Sequence, residues 1–520
     1  EGENCFTLDG AIEENDKLKE VRMTVYWEDQ SVVHNVSFSG SAPLFYFGHN
    51  TLKCMLNEGD NYINIQAADY AGLTDTKSVK VTYAPLNQES ELLIVTPWEL
   101  RPALLSLSDH KNNTGIPTSI ISVEAIADDP RFFHMDDLPG MIKLAISYAY
   151  KNYNCRYVML VGDSDKFPVR YCRLPDPNSN GSFAPSDLYY ADLYKGDGSF
   201  DNWDSNGNGY YGEINMIWGS SSTYSDIFID KVHMRPDIAL GRLPASSYSE
   251  AAIYCDKVIA YESANYKHWF DEILLLTGDP GYNSDEATND WIAANCLTGF
   301  IKTEYYYSQN TGTQNDRAAQ INNYLNQGVG FVCFVGHGTP YGYSGIYDCF
   351  THMPGLNNAD RLPIFFSAAC DTAMFHTLHG DYQDIHGNDP PYPPGYWEGN
   401  VPEPAAIQPT GYDRDSFAEE LLVKDPNGAI GYIGCYTGSQ AGGLILAKYF
   451  FESYDHLKPT GDIAGEPVTL GRMWNWALNE YFDNQCHYTI DLISTWYAPT
   501  MVHHAQKYLL FGDPSLRLAE

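Results

Sequence analysis

The sequence predicts an α/β protein built on mainly parallel sheets and preceded by a small all-β sandwich. Three observations carry this. Apolar runs rich in Val, Leu and Ile, "ELLIVTP", "RYVMLVGD" and "DEILLLTGD", recur after residue 91 and end in polar or glycine residues, the mark of strands buried on both faces of a parallel sheet. Segments of helical length, "LPGMIKLAISYAYKNY" and "YSEAAIYCDKVIAYESA", lie between them, as the crossovers of such a sheet require. Before residue 85 the pattern is strict alternation with Gly, Asn and Asp at the breaks, which indicates antiparallel strands.

The elements follow in chain order. Residues 1–84 give the strands "VRMTVYW", "SVVHNVSFSG", "PLFYFG", "NYINIQAADYAG" and "KSVKVTYAP". The stretch "LNEGDNYINIQAADYAGLTDTKSVKVTY" resembles the last hairpin of bacterial and archaeal immunoglobulin-like modules, which implies an immunoglobulin-like sandwich acting as a spacer or adhesion module. After "APLNQES" the α/β pattern begins. "RPDIALGRLPAS" closes one strand and opens a helix, so one α/β unit is placed at 91–245 and a second at 246–520, close to the roughly three domains expected of 520 residues. Functional residues are expected at the carboxyl ends of the strands. The segment from His376 to about Asp415, with "DPPYPPGYWEGNVPEPAAIQPTGY", has too much Pro and too little periodicity for helix or strand. It reads as a long insertion, either a lid or rim or a plain surface excursion.

Composition narrows the function classes. With 67 acidic against 31 basic residues the net charge is -36, which repels nucleic acid and anionic membranes and suits a cationic substrate or bound metal ions. Forty Tyr and ten Trp, with few Lys, suit a secreted or cell-surface protein. No apolar run reaches the roughly 18 to 20 residues that span a bilayer. The stretch opens at Glu1 without a signal-peptide pattern, so a signal or pro-segment is expected to be absent from it. The eleven Cys include no CxxC pair, which argues against a zinc knuckle. Cys5 and Cys54 could be bridged in an oxidising compartment or be two buried thiols.

Two strand ends carry chemistry. In "GVGFVCFVGHGTP" an apolar run delivers His337 between two glycines, and in "LPIFFSAACDTAMF" another delivers Cys370 after three small residues. The two are 33 positions apart, which suits one crossover between neighbouring parallel strands. An imidazole beside a thiol can take its proton and leave a nucleophilic thiolate. Spacing alone leaves a structural His and a buried Cys open.

At this point the motifs "FVGHG" and "FFSAACDTAMF", with "RYVMLVGD", "PSDLYYADLY", "RPDIALGRLPA", "FAEELLVKDPNGAIGYIGC" and "YLLFGDPSLRL", resemble the gingipain family of caspase-fold cysteine peptidases. The likeness runs in order over about residues 91–520. It implies His337 as general base and acid, Cys370 as nucleophile, and an oxyanion hole from the backbone N–H groups of Gly338 and Cys370. It also implies a carboxylate that orients the imidazole, here Asp279 after "DEILLLTG", whose other reading is a turn cap. An acidic residue at the base of the primary pocket in arginine-cleaving members points to Asp285 or Glu286, either of which could pair with Arg or Lys of the substrate. Both could equally form a solvated helix start. The family's Trp pocket wall falls on Ala441 or Gly442, so the pocket is expected to differ in shape.

"FDNWDSNGNGYYGE" alternates Asp204, Asn206 and Asn208, then offers Gly209, the Tyr210 carbonyl and Glu213. These are hard oxygen donors on a tightly curled loop, the arrangement calcium requires. Position twelve counted from Asp204 is Asn215, so the loop is not an EF-hand; a plain Asn and Gly turn is the other reading. The resemblance implies a similar calcium-binding loop. His376, His379, Asp381, Asp384 and His386 have ligand-like types at spacings that fit no standard metal site. "QAGGL" lacks the Lys-Ser/Thr of a Walker loop. Asn35, Asn112 and Asn180 lie in glycosylation sequons.

The resulting expectation is a secreted cysteine endopeptidase acting on proteins or peptides, with a structural calcium ion and no nucleic-acid partner. Two other readings stay open: a sortase-like transpeptidase that joins proteins to the cell surface, and a non-enzymatic adhesin or scaffold.

Overall fold

The computed structural model describes residues 89–135, 137–164, 166–173, 183–213, 229–264, 268–278, 285–375, 415–458, 467–485 and 504–518. It also gives strand backbone at 10–13, 18–27, 32–39, 44–47, 59–69, 74–83, 222–223 and 489–490. The chain divides into two compact units, 1–89 with 121–136, and 90–120 with 137–520.

The first unit is built on antiparallel strands. Leu18–Trp27 pairs with Val32–Ser39 on one side and Gly59–Asp69 on the other, and Thr74–Tyr83 completes a four-stranded sheet. Gly10–Glu13 pairs with Leu44–Phe47. Each alternating stretch picked out in the sequence lies on one of these strands, as a period of two requires.

The second unit is organised by one ten-stranded sheet, whose strands are numbered in chain order. They are β1 Leu92–Thr96, β2 Thr118–Ser122, β3 Tyr157–Val161, β4 Ala239–Leu243, β5 Glu272–Thr277, β6 Ile301–Tyr305, β7 Phe331–Val335, β8 Ile364–Ala368, β9 Gly431–Cys435 and β10 Tyr508–Phe511. Their order across the sheet is β6-β5-β7-β8-β9-β10-β4-β3-β1-β2. From β6 to β9 neighbours run parallel, and so do β10, β4, β3 and β1. β10 is antiparallel to β9. The strands β1, β3 and β4 of 91–245 and the strands β5 to β9 are therefore parallel sets of opposite direction in a single sheet, because the closing strand β10, from the second anticipated unit, bonds parallel to β4 and antiparallel to β9. One consequence matters for function: the carboxyl ends of β5, β7, β8 and β9 share one edge.

The local sequence explains the pieces. Residues of β1, β3, β4, β7, β8 and β9 are buried throughout, which is why these strands read as continuous apolar runs. Adjacent side chains serve opposite faces. Phe366 lies 5.5 Å, centroid to centroid, from Phe450 of the helix Ala441–Leu457, whereas Phe365 lies 5.9 Å from Tyr432 and 6.5 Å from Phe417 of the helix Phe417–Val423. Each such ring contributes about 1.5–3 kcal/mol by leaving water. Helix starts are capped as the sequence allows. Asp137 and Ser247 accept backbone N–H groups at the starts of Leu138–Asn152 and Tyr248–Ser263, and Ser416 with Glu419 forms a reciprocal capping box.

Two buried basic side chains fix the frame around the sheet. Arg242 on β4 forms a two-pronged pair with Asp187 at 2.7 and 2.8 Å and donates to the Gly162 carbonyl. Lys257 donates to the carbonyls of Leu421, Leu422 and Asn427 at the end of Phe417–Val423, while burial pushes its ammonium down to about 7.

Candidate active site

β7 and β8 are neighbours, and Val335 pairs with Ala368 in their parallel register. His337 and Cys370 each follow the last paired residue by two positions, so the topology brings both to one edge. The crossover between them is a small antiparallel sheet, Gly338–Thr339, Gly342–Tyr343 and Tyr347–Asp348, followed by the helical turn Cys349–His352. Phe334 stacks on Tyr343 at 3.6 Å, and the Ser344 N–H donates to the His337 carbonyl. The histidine backbone is thus fixed from both sides.

Glycines let the strand ends approach one another. The Gly278 N–H, just past β5, donates to the Val335 carbonyl at 2.9 Å. A Cβ on Gly336 would sit 2.8 Å from the Gly278 nitrogen, and one on Gly278 would sit 3.5 Å from the His337 nitrogen. Asp279, the next residue, lies outside the described residues. A Cβ on Gly338 would fall 2.2 Å from the Cys370 carbonyl oxygen and 2.9 Å from the Ala369 Cβ. The residue after the histidine therefore rests directly on the backbone of the cysteine.

Cys370 differs from the other thiols. Of the eight free cysteines among the described residues it alone is not fully buried. Burial pushes Cys155, Cys172, Cys255, Cys296, Cys349 and Cys435 up to about 12, which leaves them inert. Burial raises Cys370 too, but the Ser439 N–H at 3.2 Å and the Lys507 ammonium lower it, while Asp371 raises it. Asp371 adopts a left-handed φ of 61°, and its N–H donates to the Thr437 carbonyl. The next residue, Thr372, is pinned to Ser367 through their hydroxyls at 2.9 Å. The turn that presents the sulfur is consequently tied to the loop after β9.

The sequence pointed to this loop only as a pocket wall at Ala441 or Gly442, not to Ser439 as a partner of the sulfur. Ser439 is 69 positions from Cys370, and only the pairing of β8 with β9 brings them together. The apolar run "AIGYIGC" ending in "YTGS" has the same form as the two recognised strand ends and was the available signal. The insertion at 376–414 lies outside the described residues, as do His376, His379, Asp381, Asp384 and His386. Its return is described: the Phe417 N–H donates to the Pro340 carbonyl and the Ala418 N–H to the Thr372 carbonyl.

Asp285 and Glu286 open the helix Asp285–Asn295. Asp285 is buried, and Glu286 accepts from the Ser308 hydroxyl. Gly442 leaves no room for a Trp: a Cβ there would meet the His504 ring and the Tyr481 hydroxyl at 2.7 Å.

The acidic loop is curled as its sequence suggests. Asp204 accepts from the N–H groups of Asn208 and Gly209, Asn208 accepts from that of Tyr210, and the side-chain amides of Asn206 and Asn208 face Glu213 at 3.2 and 2.7 Å. Asp230, missed in the sequence because it lies beyond the loop in "DIFIDK", is fully buried and accepts from the N–H groups of Ser205 and Glu213. Burial pushes its carboxyl up to about 7, with the negative charges of Glu213 and Asp204 adding to the effect. No three His, Cys, Asp or Glu among the described residues are grouped as a metal site. A cation here would need amide and carbonyl oxygens as well as carboxylates, which this loop contains and which suits calcium.

The description "Peptidase family C25" fits residues 86–519. Gingipain R1 of Porphyromonas gingivalis is 22% identical over 335 residues, 61% of this chain and 28% of that protein. Lys-gingipain from the same species is 25% identical over 260 residues, 44% of this chain and 15% of that protein. The chain thus matches less than a third of the length of either relative. A crystal structure of the Arg-specific cysteine proteinase gingipain R superposes with a TM-score of 0.54 at 17% identity, covering 84% of this chain and 80% of that one, a likeness of fold. With a family match that takes in almost all of the α/β unit, the chain belongs to peptidase family C25.

Proposed function

We propose that this protein is a cysteine endopeptidase that cleaves proteins or peptides through Cys370 and His337. The observation that carries the reading is the placement of both residues two positions past paired strand ends, with Gly338 resting on the cysteine backbone. In the reaction the Cys370 sulfur bonds to the peptide carbonyl carbon as His337 takes the thiol proton. The N–H groups of Gly338 and Cys370 receive the developing oxyanion. His337 then protonates the leaving amine as the C–N bond breaks, leaving a thioester. Water, deprotonated by His337, attacks that carbonyl, and the C–S bond breaks to release the acid and restore the thiol. Asp279, which follows the Gly278 backbone beside His337, is assigned the orienting carboxylate.

For specificity the reading is cleavage after Arg or Lys, with Glu286 and Asp285 as the acidic partners. The net charge of -36 favours a cationic substrate. Incubating the protein and its Cys370→Ala variant with a mixed-sequence peptide library, in calcium buffer with a reducing agent, tests the whole reading. Cuts after Arg or Lys that vanish in the variant are the expected result. Dyad-dependent cuts after other residues would remove Glu286 and Asp285, and identical cutting by both proteins would remove Cys370.

A structural calcium ion held by Asp204, Asn206, Asn208, Glu213, Asp230 and the Tyr210 carbonyl completes the proposal. Its charge would offset the carboxylates that raise Asp230. The pH dependence has a definite sign. A carboxyl raised from the usual range to about 7 makes the calcium-free native state hold a proton that the unfolded chain has lost, so stability falls as pH rises toward 7. Added calcium is expected to raise the melting temperature by about 3 °C or more at saturating concentration, and by more at pH 8 than at pH 6. Calorimetry of chelator-treated protein with and without calcium checks this; no shift at either pH would remove the ion. The antiparallel N-terminal strands are proposed to form an immunoglobulin-like spacer, and the protein to act outside the cell. Among the described residues no helix is long and apolar enough to cross a membrane.

A further inference from the structure

We infer that Lys507 is a positioning residue for the reaction, holding the loop at 437–440 against the Cys370 sulfur and supplying the buried positive charge that favours its thiolate; this rests on the peptidase reading above. Lys507 immediately precedes β10 and is fully buried. Its Nζ donates to the Gly438 carbonyl at 2.5 Å and to Gln440 Oε1 at 3.1 Å. Between those two acceptors stands Ser439, whose N–H donates to the sulfur. The same short segment grips the loop twice more, since Tyr508 bonds to the Ser439 hydroxyl at 2.6 Å and His504 Nε2 accepts from the Gln440 N–H at 2.9 Å. Gly443 makes the approach feasible, because a Cβ there would overlap the Tyr508 hydroxyl.

A buried ammonium is costly unless something nearby carries negative charge. The titratable groups acting on the sulfur are Asp371 on its own turn, Cys435 at the end of β9, and Tyr508 and Lys507 from the closing segment, and the pairing of β7 with β8 brings His337 to the same edge. Lys507 lowers both Cys370 and Asp371, whereas Asp371 and burial raise the thiol. The ammonium therefore counters the neighbouring carboxylate and stabilises the charge that appears on sulfur when the proton leaves. β10 joins the two halves of the sheet, so this charge is delivered by the strand that sets the architecture.

The test follows the pH dependence of Cys370 alkylation by iodoacetamide, read by mass spectrometry of the Cys370 peptide, in the full chain and its Lys507→Met and Lys507→Arg variants. The titration midpoint is expected to rise by about one pH unit in Lys507→Met, slowing alkylation about tenfold on the acid side, and to return most of the way in Lys507→Arg. Repeating the pair in a His337→Gln background separates the lysine from the coupled imidazole. kcat should fall with KM nearly unchanged. A folded Lys507→Met protein with an unshifted midpoint overturns the inference and leaves Lys507 a structural pin. Should Lys507→Met not fold, Asp371→Asn gives the converse reading: removing the opposing carboxylate should lower the midpoint, and an unshifted midpoint there also counts against the charge role. Alkylation needs no substrate, so failure of the peptidase reading would appear separately, as turnover that survives Cys370→Ala.

Discussion

Replacing Cys370 with Ala is expected to cut kcat/KM by at least about 10⁴-fold while leaving the melting temperature within a few degrees. Covalent catalysis loses its bond-forming atom, and what remains is binding and oxyanion stabilisation alone. The fold should tolerate the change because Cys370 is only partly buried and its turn is held by backbone bonds from Asp371 to Thr437 and from Ala373 to Cys435. His337→Ala should lose activity to a comparable degree, and the double variant should fall little further, since the two residues act as a unit. Initial rates on the best library peptide, with calorimetry on the same samples, decide it. Turnover of the single cysteine variant at a rate near that of the unmodified protein would leave the dyad without a role, and a multiplicative loss in the double variant would mean the two residues do not share one step.

The placement of His337 and Cys370 just past two neighbouring strand ends was legible in the sequence because a buried parallel strand leaves a strong signature. An apolar run that stops in small residues fixes both the strand and the edge at which the next side chain emerges, as "FVCFVGHG" and "IFFSAAC" do. The helices Leu138–Asn152 and Tyr248–Ser263 were legible for a similar reason, their starts being marked by Asp137 and Ser247. The inverted junction of the sheet was not, since periodicity carries no strand direction and "KYLLFGD" reads alike either way. Nor were Ser439 and Lys507, whose roles depend on pairings between segments 69 positions apart. Asp230 was missed because a carboxylate inside an alternating run looks like a solvent-facing strand residue until its burial is known. Asp285 opens its helix as the sequence suggested but lies buried, which goes against the alternative reading of a solvated helix start at that position.

Gly338→Ala is expected to lower kcat by about 100-fold or more with a smaller effect on KM. The added Cβ would lie 2.2 Å from the Cys370 carbonyl and 2.9 Å from both the Ala369 Cβ and the Thr372 Cγ2. None of these is the far end of a flexible side chain, and the turn behind them is pinned by the Ser367–Thr372 hydroxyl contact and by the loop after β9. The clash must therefore be relieved by moving the cysteine and histidine turns apart by about 1 Å, a displacement that costs about 10²-fold when it separates reacting groups. Misplacement of the Gly338 N–H, an oxyanion donor in the proposed mechanism, adds to that loss. Gly299→Ala is the matched control, because Gly299 has a φ of 91° with nothing within 4 Å of its Cβ position. That variant should lose about 1–2 kcal/mol of stability through backbone strain and keep its kcat. The two substitutions separate contact without strain from strain without contact. A Gly338→Ala protein with unchanged kcat would mean that the two strand ends do not need this close approach to react.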